Sequence, residues 1–307
     1  MHLPHHRLLT TAVTLAAFGL SALISSAAPA SATDRPTGTH EPDPLVHVMP
    51  MRAAPPATPG APLPPITYHG GPIMTGDVHV YAIWYGLWSK HTFRRALLTD
   101  FLGHLPSPYF EINRTYPNAA GKTVTGVTFA GQAVDPGSVG RVNLTDVQIR
   151  QVVESTIAAG RLPRDTRGIY LIITSPEVTK LGFLTQYCGW HTYTVVRRTS
   201  IKYAFIGDPS GPDLRLCAPQ STSPNGDAAG DAMASVIAHE VSEAVTDPTL
   251  RGWFDATGAE NADRCAWNYG TPHRVAGALT NVRLGQRNYY IQANWLNRGR
   301  GGCAMSG

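Results

Sequence analysis

The chain has 307 residues, 43% of them hydrophobic and only 15% charged, with 30 Gly and 25 Pro. That length supports a sizeable buried core, and the composition excludes a coiled coil and a wholly disordered chain. A formal charge of +4 with no cluster of Lys and Arg is too weak to implicate nucleic acid, whose binding needs dense positive charge against phosphates.

Residues 1–32 read as a secretory signal peptide. His5, His6 and Arg7 precede the apolar run Leu8 to Ile24, which ends at the small-residue site Ala30-Ser31-Ala32. An exported, extracellular protein is therefore expected. No later stretch approaches the ~20 apolar residues of a spanning helix, so no membrane is expected as a partner once the leader is cleaved. Residues 33–65 read as a disordered linker, because ten prolines fall between Asp34 and Pro65, including Pro55-Pro56 and Pro64-Pro65. A single globular domain is expected over residues 66–307.

Val78 to Tyr85 is β-branched and aromatic throughout, as in a strand buried on both faces, and Gly86 ends it. Ser89 is placed to cap a helix in which Phe93, Leu97, Phe101 and Leu105 recur every fourth residue before Pro106. A second strand is expected near Val124 to Phe129. Thr145 and Gln148 form a capping-box pattern ahead of the apolar stripe Ile149, Val152, Val153 and Ile157, which Gly160 terminates. Ile169 to Ile173 and Ile201 to Ile206 read as further strands. Strands alternating with helices imply an α/β (α+β) fold with a mixed β-sheet and packed helices.

The four cysteines, Cys188, Cys217, Cys265 and Cys303, contain no CxxC spacing. In an exported chain they read as two disulfides rather than thiolate zinc ligands. Three pairings are open, of which the sequential one closes the two shortest loops.

The most informative segment is Asp231 to Pro248 (DAMASVIAHEVSEAVTDP), a helix of about four turns with Asp231 as its cap and Pro248 as its stop. Met233, Ile237, Val241, Ala244 and Val245 share one side, while His239, Glu240, Glu243 and Asp247 share the other. No Lys or Arg on that side pairs with the acids, which suggests a cation. His239 and Glu243, four apart, project side by side as an imidazole and a carboxylate suited to zinc. The pattern is HExxE, with Glu in place of the second His of the zinc-peptidase HExxH, and Glu240 holds the position of the general base. Downstream, Glu260 or Asp263 is expected to supply the third ligand. A calcium ion held by Glu243, Asp247, Asp255, Glu260 and Asp263 is the alternative. His191 reads more simply as a structural residue beside Cys188.

Tyr68-His69-Gly70-Gly71-Pro72, the strand end Ile83-Trp84-Tyr85-Gly86, and the Cys265 to Cys303 block with Tyr290 to Trp295 resemble the phosphate-induced protein, or exordium, family from about Ile66 to Cys303. The resemblance implies secretion and, from the plant members, association with the cell wall and growth control without an established enzyme activity. The full HExxE helix with Glu260 and Asp263 is similar instead to microbial secreted members that read as metallohydrolases. The expectation is a monomeric secreted hydrolase, zinc-dependent and peptidase-like, acting on an extracellular polypeptide or a cell-wall component. The rival is a non-catalytic extracellular binding or signalling protein, with Trp84, Trp88, Trp190, Trp253 and Trp295 as candidate contacts.

Overall fold

A run of apolar residues stays in a strand only if both faces are covered, and the Val78 segment lies at the heart of such a sheet. The computed structural model describes residues 46–51 and 65–307. The expected leader and most of the proline-rich stretch lie outside the described residues. In chain order the first elements are β1 (His47–Pro50), β2 (Thr67–Tyr68), β3 (Gly76–Tyr85), α1 (Thr92–Gly103), β4 (Val124–Asp135), α2 (Asp146–Ala158) and β5 (Gly168–Thr174). They are followed by β6 (Tyr187–Val196), β7 (Thr199–Ile206), α3 (Leu214–Cys217), α4 (Ala228–Thr246) and β8 (Trp253–Phe254). Short two-stranded hairpins fill the C-terminal part between His273 and Ala304. Among the described residues no helix is long and apolar enough to cross a membrane.

Six strands form one mixed sheet in the order β1-β6-β7-β5-β3-β4. β4, β3, β5 and β7 run parallel, and β6 and β1 add antiparallel at one side. Helix α1 connects β3 to β4, and α2 connects β4 to β5. Those crossovers move in opposite directions along the sheet, so their shared right-handedness sends α1 and α2 to opposite faces. Helix α4 packs beside α1 and lies across β5, β6 and β7. Covered on both sides, β5 is buried along its whole length.

Local signals explain most boundaries. The Thr145–Gln148 capping box is complete: Gln148 N–H donates to Thr145 Oγ1 (3.3 Å) and Thr145 N–H donates to Gln148 Oε1 (2.9 Å). Gly160, at φ +68°, ends that helix. Ser89 does not cap α1. It is exposed and sits in a 3₁₀ turn, Trp88–Lys90, while α1 begins at Thr92 after His91 with no side-chain cap. Phe93 faces solvent, and α1 buries Leu97, Leu98, Phe101 and Leu102.

Helix α4 starts one turn earlier than expected. Asp227 is its cap, with Oδ1 accepting from Gly230 N–H at 2.9 Å. Asp231 lies inside the first turn, buried, accepting from Ser223 Oγ and Asn225 Nδ2, and burial pushes its pKa up to about 6. The chief departure is that α4 has no solvated face, since Ala229 to Thr246 are all buried. Its acids point into the protein.

The sulfurs pair sequentially, Cys188 with Cys217 and Cys265 with Cys303. Each closes a loop of a size that contributes about 3 to 4 kcal/mol in the chain-entropy account. Between Pro44 and Pro65, a stretch read as linker, residues 47–50 instead form an edge strand on β6. Pro50 is tolerated there because it closes a strand at the sheet's rim, where no further ladder bond is required.

Thr145→Ala is expected to lower the unfolding free energy by about 1 kcal/mol, seen as a lower denaturant midpoint at unchanged slope. Ser89→Ala is expected to stay within about 0.5 kcal/mol of wild type.

Candidate metal centre

Four parts of the chain converge on the last two turns of α4. The helix contributes His239, Glu240 and Glu243, strand β6 contributes His191, strand β1 contributes His47, and the loop after α4 contributes Glu260 and Asp263. Gly189 lets β6 come this close: a Cβ there would lie 2.5 Å from Val236 Cγ1 and 2.9 Å from Glu240 Oε1.

The returning loop is fastened at several points. Asp247 Oδ1 accepts from the Arg251 (2.5 Å) and Gly252 (2.6 Å) N–H groups. β2 pairs with β8, His69 N–H donates to Gly252 O (2.7 Å), and Gly71 N–H donates to Arg251 O (2.8 Å). Gly71 fits only because it lacks a Cβ, which would stand 2.2 Å from Arg251 O. The Tyr68-His69-Gly70-Gly71 motif therefore clamps the segment leading to Glu260 and Asp263. Asp255 is spent on the loop itself, accepting from Thr257 N–H (2.7 Å), Thr257 Oγ1 (2.6 Å) and Arg264 Nη1 (2.8 Å).

Within the cluster, His239 Nε2 stands 3.0 Å from Glu243 Oε1 and 3.4 Å from Asp263 Oδ1. His191 Nδ1 stands 3.4 Å from Glu240 Oε2 and 3.5 Å from Glu243 Oε2. His47 reaches Glu260 Oε2 through Nδ1 (2.6 Å) and Asp263 Oδ2 through Nε2 (3.2 Å). Three donor triads result, His239–Glu243–Asp263, His191–Glu240–Glu243 and His47–Glu243–Glu260, all sharing Glu243. His191, His239, Glu240, Glu243 and Glu260 are essentially inaccessible, with exposures of 0 or 1%.

Apart from the His47 Nδ1–Glu260 Oε2 bond, most of these close approaches are not hydrogen bonds. His191 Nδ1, His239 Nε2, both Glu240 oxygens, Glu243 Oε2, Glu260 Oε1 and Asp263 Oδ1 are buried without a hydrogen-bond partner. Orphaned buried polar atoms are costly and rare, and so many at one point mark a place where something polar or charged is received. Among the described residues, the ion pairs of these four carboxylates are all with histidines.

The electrostatics follow from that lack of basic side chains. Burial works to lower the His191 pKa, yet Glu260, Glu240 and Glu243 override it and push it up to about 10. His239 rises well above its ordinary value for the same reason, with burial opposed by Glu243, Asp263 and Glu240. Burial also acts to raise Glu243, but the two imidazoles beside it hold it well below the usual carboxylate range. Burial dominates at Glu240 and Glu260 and raises both, Glu260 strongly. As a set, the cluster draws in positive charge, whether protons or a metal.

Second contacts orient the rings. His191 Nε2 faces the Asp247 carbonyl at 3.4 Å, an acceptor for a proton on that nitrogen, while Nδ1 is directed at Glu240 and Glu243. Gln292 Nε2 lies 2.8 Å from His239 Nδ1, with its amide held by Trp267 N–H and Ala262 O. Held this way the amide donates to Nδ1, so a cation on His239 Nε2, which needs the proton on Nδ1, would require the reverse amide orientation and the loss of both the Trp267 and the Ala262 bonds. An opening of about 200 Å³, lined by Val46, His47, Asp247, Leu250, Phe254, Gly258 and Glu260, reaches the cluster from outside.

The five residues expected from the sequence, His239, Glu240, Glu243, Glu260 and Asp263, all lie in this cluster. The open choice between the two downstream acids divides by geometry: Asp263 stands with His239 and Glu243, whereas Glu260 faces His47 and His191. Of the oxygen-only set, Asp247 Oδ1 and Asp255 are engaged in the loop, and Asp247 lines the same opening as Glu260. Sequence reasoning sets His191 aside and misses His47. The signal for His47 is the run Val46-His47-Val48-Met49, unbroken by proline; for His191 it is the alternating Trp190-His191-Thr192-Tyr193 of an unrecognised strand. Of the tryptophans considered as contact residues, Trp84, Trp88 and Trp190 are core.

Residues 66–289 match the model of the phosphate-induced protein 1 conserved region. The chain is similar to Protein EXORDIUM-like 3 of Arabidopsis thaliana, 28% identical over 272 residues that cover 75% of this chain and 80% of that protein. It is also similar to Protein EXORDIUM-like 5 of the same plant, 29% identical over 238 residues covering 67% and 65% respectively. A third likeness is to Protein PHOSPHATE-INDUCED 1 of Nicotiana tabacum, 25% identical over 219 residues covering 62% and 67%. With most of the chain matched, from the strand bearing the YHGGP motif onward, this protein belongs to the phosphate-induced protein 1 family.

Proposed function

We propose that this protein is a secreted zinc-dependent hydrolase acting on extracellular polypeptide, with His239, Glu243 and Asp263 holding the metal and Glu240 as general base. The observation that carries this reading is the convergence of buried, unpartnered donor atoms at the end of α4. Tetrahedral zinc with bonds of about 2.0–2.1 Å sets its donors about 3.3–3.4 Å apart. The separations of His239 Nε2 from Glu243 Oε1 and Asp263 Oδ1, 3.0 and 3.4 Å, suit that geometry. Mixed imidazole and carboxylate donors favour zinc over calcium, which takes oxygen alone.

Zinc bound there lowers the pKa of a water towards neutrality and polarises a carbonyl. The chain's own part is to hold the donors and to move the proton. Glu240 directly follows His239, keeps both oxygens unpartnered, and has its pKa raised by burial, which suits a proton-accepting group. Val46, Leu250 and Phe254 give the opening apolar walls that fit a hydrophobic side chain. Strand β1, at the sheet's rim, offers an edge for pairing with an extended chain. Export is supported by two disulfides, which persist in oxidising compartments.

The depth of the cluster favours a second reading, a non-catalytic extracellular protein in which the cation staples α4 to the loop.

Elemental analysis of the purified chain separates these. Wild type is expected to carry zinc, and His239→Ala to lose it; a folded, zinc-free wild type sinks the hydrolase reading. Glu240→Gln is expected to keep the zinc held by His239, Glu243 and Asp263 while losing roughly 10²- to 10⁴-fold in cleavage of a fluorogenic peptide panel. Zinc-loaded wild type that cleaves nothing in the panel leaves the structural-cation reading.

A further inference from the structure

Glu243 is approached from two sides. Its Oε1 faces His239 Nε2 at 3.0 Å and accepts from Asp263 N–H at 3.1 Å. Its Oε2 has no hydrogen-bond partner and faces His191 Nδ1 at 3.5 Å. On this second side Glu240 Oε2 lies 3.4 Å from the same His191 nitrogen. These edges match the ~3.3–3.4 Å donor spacing of a tetrahedral cation as well as those of the first triad do. A single ion bound on Oε1 with His239 and Asp263 leaves the donors facing Oε2 unused.

We infer that the centre is binuclear: Glu243 bridges two divalent cations, one on His239 and Asp263 through Oε1, the other on His191 and Glu240 through Oε2. This rests on the hydrolase reading above for the first ion and adds the second.

Three observations support the second position independently. His191 Nδ1, Glu240 Oε2 and Glu243 Oε2 are unpartnered atoms on side chains with no solvent exposure. The Asp247 carbonyl beside His191 Nε2 is an acceptor for the proton that a metal-bound ring would keep there, with Nδ1 turned to the cation. The carboxylates also lack cationic partners: Glu240, Glu243, Glu260 and Asp263 have no Lys or Arg paired to them among the described residues. Glu240 then lends Oε2 to the second cation and keeps Oε1, also unpartnered, for the proton. Paired metals about 3.5–4 Å apart are a recurring device for clamping a substrate and its attacking water together.

The test uses the full mature chain, stripped with chelator and titrated with zinc alone. Two equivalents per chain are expected, with a zinc–zinc scattering vector near 3.5–4 Å in X-ray absorption. His191→Gln and Asp263→Ala are each expected to fall to one equivalent and lose that vector. Wild type saturating at one equivalent without a zinc–zinc vector overturns the second cation and leaves the hydrolase reading standing, whereas no bound zinc overturns both. Should His191→Gln fail to fold, the wild-type stoichiometry and vector decide the matter by themselves.

Discussion

The candidate site answers to one constraint: carboxylates on a buried helix that, among the described residues, meet imidazoles but no Lys or Arg. Removing an ionised carboxylate from water costs several kcal/mol even after relaxation, and α4 carries Glu240 and Glu243 one turn apart at essentially zero exposure. Glu260 and Asp263 add to the deficit from the neighbouring loop. Among the described residues the cluster meets these acids with imidazoles, His47, His191 and His239.

The surrounding architecture serves to bring those groups together. Strand β6 must run close to α4 for His191 to arrive, and Gly189 provides the clearance against Val236 and Glu240. The loop after α4 must double back, and it does so under Asp247, the β2–β8 pair and the backbone bonds of His69 and Gly71. The motif that marks the family is thus a clamp on the segment that carries two of the acids. Its chemistry is indirect: it sets where Glu260 and Asp263 stand. The family match starts at Ile66, so His47 on β1 lies outside the matched span.

The elements legible in the amino-acid sequence are those whose signals are local. The Thr145–Gln148 box, the α4 stop at Pro248, the apolar strand at Ile169 and the HExxE spacing depend on neighbours within a few residues, and all appear where expected. Sequence and fold part where distant partners decide. Ser89 resembles a cap, but the chain takes a 3₁₀ turn there and α1 begins later. Helix α4 shows an acid-bearing side that by pattern alone belongs in water, and packing against β6, β1 and the 260–263 loop buries it instead. His47 is hidden because prolines on both sides outweigh a four-residue strand in any local reading, although the unfilled edge of β6 is enough to order it.

The amino-acid sequence alone determined the mixed α/β class, the helix that aligns His239, Glu240 and Glu243, and the downstream acids within reach of it, because helical periodicity and capping are short-range physics. Only the tertiary structure decided the cysteine partners, the grouping of Asp263 with His239 and of Glu260 with His47, and the entry of His191 and His47 into the cluster. Those choices depend on sheet order and on the backbone bonds that fold the loop back. Such interactions join residues tens to hundreds of positions apart, and no local pattern records them.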